Sequence, residues 1–167
     1  FAEQLANWLV RNFVRQADAW IDLHGGDMNE VLTPFTIHRR DNEASRELAA
    51  QFGIPFVVAS AGQGSSYTLS DQLGIPCIIA EASGQGIFRE PEIELLRRGV
   101  IRVMQARKML PGEPEPAHTQ FFSRFDVLRS DVTGLWYLEA AMGAKVQAGA
   151  RLGVLKDLTG TEVQVIT

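Results

Sequence analysis

Apolar residues recur every three or four positions at the start of the chain: Ala2, Leu5, Trp8, Leu9 and Phe13. That spacing predicts an amphipathic helix over 2–16. Residues 17–24 (ADAWIDLH) then read as a strand that stops at Gly25-Gly26, and 34–38 (PFTIH) as a second short strand. Asn42 is placed to cap a helix running to Phe52, with Gly53 ending it. The strongest helical pattern covers 90–110. Pro91 suits its first turn, glutamates cluster at its start and basic residues at its end, and Ile93, Leu96, Val100, Val103 and Met104 form its apolar stripe.

Between these lies an internal similarity. Residues 51–62 read QFGIPFVVASAG and residues 72–84 read QLGIPCIIAEASG. Each copy is a helix end, a glycine, Ile-Pro and an apolar run without alternation. Such runs at Phe56–Ala59 and Cys77–Ala80 suit strands covered on both faces. Two helix–strand units in series predict an α/β fold with a mainly parallel, helix-covered sheet. After residue 110 the pattern changes. PGEPEP at 111–116 reads as a linker, extending to 118, and short strands at 121–129, 134–139, 151–155 and 162–166 are separated by glycine-rich turns. The expected organisation is an α/β domain over 1–110, a linker over 111–118 and a small all-β domain over 119–167 that is too short to close alone.

Composition narrows the class. Hydrophobic residues make up 46% of the 167 and charged residues 22%, the mix of a globular chain. No apolar run approaches the roughly 20 residues of a spanning helix, so no membrane association is expected. A net charge of −4 argues against nucleic acid as a partner. The single cysteine, Cys77, cannot bridge within the chain, so nothing requires an oxidising compartment and a cytoplasmic location is expected.

Two residues stand where chemistry is done. His24 ends a predicted strand and precedes two glycines, and ligands of open α/β sheets gather beyond strand carboxyl ends. Asp22 lies two residues back, on the same side, where it can orient an imidazole. Glu81 ends the apolar run Cys77–Ala80, where burial raises a carboxyl pKa towards the value a general base needs. The repeat has Ser60 in its place, so the strand pattern does not demand an acid there. The alternatives are a histidine satisfied by its own turn and a glutamate paired with Arg89. Glycines at 62, 64, 84 and 86 make no phosphate loop, since neither G-x-x-x-x-G-K-[ST] nor the third glycine of G-x-G-x-x-G occurs. Ser65, Ser66 and Tyr67 read as a helix start, Cys77 as core, and His38 and His118 as surface or satisfied side chains.

Asp22-Leu23-His24-Gly25-Gly26 and Gly74–Gly84 (GIPCIIAEASG), in that order, resemble the succinylglutamate desuccinylase and aspartoacylase family. Residues 134–137 (GLWY) and 143–153 (GAKVQAGARLG) are similar to that family's C-terminal β domain. The resemblance implies a sheet of the zinc carboxypeptidase type, one zinc per complete protein, and hydrolysis of an N-acyl amino acid or related small amide. It implies His24 as a zinc ligand, Glu81 as general base and Asp22 as the partner that orients the ligand. The family's other ligands belong to a His-x-x-Glu motif nearer the N-terminus, and its substrate-carboxylate arginine also lies upstream. No His-x-x-Glu occurs in this sequence. The chain is therefore expected to be a fragment that does not hold zinc tightly by itself. A carboxypeptidase acting on peptides and a metal-free binding module are the competing expectations.

Overall fold

The computed structural model describes all of residues 1–167, in two compact units, Phe1–Phe125 and Asp126–Thr167. The larger unit is built as α1 (Ala2–Asn12), β1 (Trp20–His24), β2 (Leu32–Arg39), α2 (Glu43–Phe52), β3 (Phe56–Ser60), α3 (Leu69–Leu73), β4 (Cys77–Ser83), α4 (Glu90–Ala106) and β5 (Gln120–Phe122). Short 3-10 turns at Val14–Gln16 and Ser66–Thr68 extend α1 and precede α3. The expected caps form: the Asn42 side chain accepts a hydrogen bond from the Ser45 amide at 2.8 Å, and Gly53 ends α2 with a left-handed φ of 74°.

The five strands form one sheet in the order β1-β4-β2-β3-β5. β1 with β4, β2 with β3 and β3 with β5 are parallel; β2 and β4 are antiparallel. The sheet is thus mostly parallel, but its reversal falls between the two sequence repeats. β3 and β4 are not neighbours, and they run in opposite directions with β2 between them. Similar local sequence gives each a helix end and a buried strand. It does not set the direction of entry: β3 ends at Ser60, level with Arg39, and β4 starts at Cys77 at that same edge, so the segment between them returns to the edge it left.

Register shows which residues share a face. Leu23, Ala80, Thr36 and Val57 form one row across β1, β4, β2 and β3, and Ile21 and Ile78 lie in the next row on the same face. This face carries the core of Leu48, Ala49, Phe52, Ile54, Val57, Ile78, Ala80 and Val103, which α2 and α4 cover. Gly99 lets the two helices approach: a Cβ there would sit 2.4 Å from the Phe52 ring. Trp20, Asp22, His24, Ile79 and Glu81 share the opposite face. Cys77 is fully buried in β4, and burial pushes its thiol up to about 11, as suits a packing residue.

Of the two alternatives for His38, surface or satisfied, the structure shows the second: it is buried, at 2% exposure. Its Nδ1 donates to the Arg39 carbonyl oxygen at 2.8 Å. Burial holds its pKa below the ordinary value, with Arg46 adding to the shift and the Arg39 carbonyl and Glu43 opposing it. In the unfolded chain this histidine takes up a proton near pH 6.5. The folded chain resists that proton, so the unfolded state is favoured as pH falls below about 6.5, and above it His38 contributes no pH dependence. The urea midpoint is expected to fall more between pH 7.5 and 5.5 for the native sequence than for His38→Gln; equal falls in both would contradict this.

The smaller unit is an antiparallel sheet of β6 (Leu135–Leu138), β7 (Gly153–Lys156) and β8 (Glu162–Ile166) in that order. Gly153, Val154 and Leu155 are its buried residues, and Arg151 pairs with Glu139 and Glu162. The strand expected over 121–129 forms only at Gln120–Phe122 and joins β3 of the larger sheet. The structural division consequently falls after Phe125, not at the proline-rich 111–118, which instead returns the chain from α4 to the sheet.

Candidate active site

His24 and Glu81 are register partners on adjacent parallel strands. Neighbouring strands are about 4.8 Å apart, so the two backbones lie side by side at one sheet edge. The His24 Nδ1 is 3.7 Å from Glu81 Oε1, and its Nε2 is 3.2 Å from Asp22 Oδ1. Glu81 rides on the inner strand β4, and Asp22 and His24 ride on the edge strand β1, whose backbone is paired to β4 along its whole length. The environments differ: the Glu81 side chain is 15% exposed and that of His24 47%. Burial chiefly raises the Glu81 carboxyl pKa above its ordinary value. His24 opposes the shift, while the carboxylates of Glu30, Asp22 and Asp27 reinforce it.

β4 continues two residues past Glu81 to Ser83, farther than the repeat suggests. Arg89, the partner considered for Glu81 from sequence, instead lies 3.8 Å from Glu92. The segments after His24 and after Glu81 are locked together. The Gln85 amide donates to the Asp27 carbonyl at 3.0 Å, and a Cβ on Gly84 would fall 2.2 Å from the Glu30 carbonyl oxygen. Ser83 and Gln85 both hold positive φ, at 68° and 60°, conformations that non-glycine residues seldom adopt away from constrained sites.

The surroundings include residues that sequence reading left aside. Asp27 and Glu30 add negative charge beside Glu81. Ser66 donates to Asp22 Oδ2 at 2.5 Å from a position 44 residues away, and nothing in the local Ser65-Ser66-Tyr67 pattern announces that reach. His38 and His118 do not join the cluster: His38 lies farther along β2, where it is level with Ile78 at the start of β4, and His118 lies beside Pro55, Phe56 and Gln120.

The profile of the succinylglutamate desuccinylase/aspartoacylase catalytic domain matches residues 1–107. The chain belongs to this family. No curated protein matches it. The fold is similar to the product-bound ectoine utilization protein EutE (DoeB) of Ruegeria pomeroyi, with a TM-score of 0.84 at 22% identity, over 98% of this chain and 53% of that one. A succinylglutamate desuccinylase/aspartoacylase of Rhodobacter sphaeroides gives a TM-score of 0.81 at 22% identity, over 99% and 55%. A succinylglutamate desuccinylase of Silicibacter sp. TM1040 gives 0.78 at 19%, over 98% and 53%. The chain thus spans about half the length of these solved structures, and at such identities the likeness is one of fold. No helix of the family member described here is long and apolar enough to cross a membrane.

The donor set at the edge suits one vertex of a metal centre. The imidazole is accessible, and its Nε2 is engaged by a carboxylate, as metal-bound histidines usually are. No group of three or more His, Cys, Asp or Glu side chains is arranged to hold a metal ion in these 167 residues.

Proposed function

We propose that this chain is part of a zinc-dependent amidohydrolase of the carboxypeptidase type, which cleaves an N-acyl amino acid or related small amide into a carboxylate and an amine. The register pairing of His24 with Glu81 supports this reading most strongly, together with the family's name for its activities. His24 would be one zinc ligand, and the remaining ligands would come from residues outside these 167. A catalytic zinc commonly takes three protein ligands, often two histidines and a carboxylate. Bound there, zinc supplies a Lewis acid for the acyl carbonyl and a more acidic water.

The protein's own groups do the proton work. Glu81, buried and with its pKa raised, accepts a proton from the attacking water and delivers it to the nitrogen of the departing amine. Asp22 holds the imidazole ring in place through Nε2. The sheet fixes both strands, so base and imidazole keep their separation through the reaction.

Zinc content tests the shared site. The purified 167-residue chain is expected to lose zinc on dialysis, because one ligand does not make a site. A longer polypeptide that includes it and supplies the remaining ligands is expected to retain about one zinc and to hydrolyse N-acyl amino acids. Stoichiometric zinc retained by the short chain, as measured by elemental analysis, would contradict the shared site. A longer polypeptide with neither metal nor activity would contradict the hydrolase reading and favour a metal-free binding module.

A further inference from the structure

We infer that Ser66 is a positioning residue for this site: its hydroxyl, by holding Asp22, fixes which ring nitrogen of His24 carries the proton. The inference rests on the reading of His24 as a ligand. Three groups form a chain of contacts. The Ser66 hydroxyl donates to Asp22 Oδ2 at 2.5 Å, and Asp22 Oδ1 lies 3.2 Å from His24 Nε2. A carboxylate only accepts hydrogen bonds. In neutral His24 the nearer carboxylate decides: Asp22, at 3.2 Å, favours the proton on Nε2 over Nδ1, which Glu81 faces at 3.7 Å, and Nδ1 keeps its lone pair. The tautomer on which metal binding depends is thus set by a contact on the far side of the ring.

Ser66 is placed to do this rigidly. It opens the 3-10 turn Ser66–Thr68, whose next two residues are buried, Tyr67 at 4% and Thr68 at 7% exposure. The Tyr67 hydroxyl lies 2.9 Å from Ser60 Oγ, tying the turn to the end of β3. The Thr68 hydroxyl donates to the Ser65 carbonyl at 2.6 Å, closing the turn on itself. With both sides held, the Ser66 hydroxyl meets a carboxylate whose second oxygen is thereby aimed along β1 at His24. Without that bond, Asp22 is free to rotate, and its hold on Nε2 weakens.

The ring nitrogens report this directly. In the chain labelled with 15N at histidine, spectra taken where His24 is neutral give its two tautomers separately, with no metal or substrate present. The unaltered chain is expected to show His24 with Nε2 protonated. Ser66→Ala should raise the Nδ1-protonated share severalfold, while His38 and His118 stay unchanged as internal controls. Ser66→Thr, which keeps the hydroxyl, should restore the original spectrum, and Ser66→Val, the same shape without it, should behave as Ala does. The Thr and Val pair carries the test if Ser66→Ala fails to fold. A chiefly Nδ1-protonated His24 in the unaltered chain, or equal His24 spectra for Thr and Val, overturns the inference. Either result leaves the hydrolysis assay of Glu81 standing, and failure of that assay leaves the tautomer result intact.

Discussion

Replacing Glu81 with glutamine in the longer polypeptide is expected to lower hydrolysis of N-acyl amino acids by about a hundredfold or more, while bound zinc stays the same. Glutamine keeps the shape and removes the acceptor of the water proton. It is also neutral, so it relieves the burial cost that raises the Glu81 pKa, and the variant should fold at least as well. His24→Ala is expected to lose metal and activity together. The two variants separate the roles: one leaves a loaded but inert site, the other an empty one. Elemental analysis beside initial rates reads both. Near-normal turnover in Glu81→Gln would show that the proton is taken elsewhere.

The largest effect on stability is expected from Phe52→Ala, at about 3–5 kcal/mol. Phe52 is fully buried between α2 and α4 in the main core. Its ring occupies the space that Gly99 leaves, where a Cβ would meet ring atoms at 2.4 Å. Gly99→Ala has two opposed terms. Alanine favours a helix interior by about 1 kcal/mol over glycine. Overpacking a tight core costs about 1–3 kcal/mol. The clash is with a ring held in the core, so Gly99→Ala alone should destabilise. In the Phe52→Ala background the clash is gone, and the same substitution should stabilise. This reversal of sign, read from urea unfolding of the four members of the cycle, tests the helix contact itself. Additive effects would show that Phe52 and Gly99 do not meet.

The site was legible because it is written in short strands. A strand pattern that ends in His24 and an apolar run that ends in Glu81 each place a polar side chain at a strand end, and the structure sets the two in register on neighbouring strands. The cap at Asn42 and the stop at Gly53 were legible for the same reason: both are decided within a few residues. What could not be read depends on distant partners. The order of the strands places β4 between β1 and β2, so that β3 and β4 run in opposite directions despite their shared Gly-Ile-Pro pattern. Gln120–Phe122 looks like the opening of the small β unit, and only its pairing with β3 assigns it to the larger one. Ser66 reads as a helix start, which it is, while its bond to Asp22 is a product of the tertiary fold. Similarly, nothing in the short PFTIH pattern decides between a surface and a buried His38, and the fold buries it at 2% exposure.

The central claim is that the His24–Glu81 edge is half of a metal-dependent hydrolytic site. Anomalous diffraction at the zinc absorption edge, from crystals of the longer polypeptide, tests it most directly. The account predicts one strong peak about 2.0 Å from a ring nitrogen of His24, with the Glu81 carboxylate beside it but not bonded to it. A peak remote from His24, or a loaded protein in which Glu81 itself ligates the metal, would contradict it.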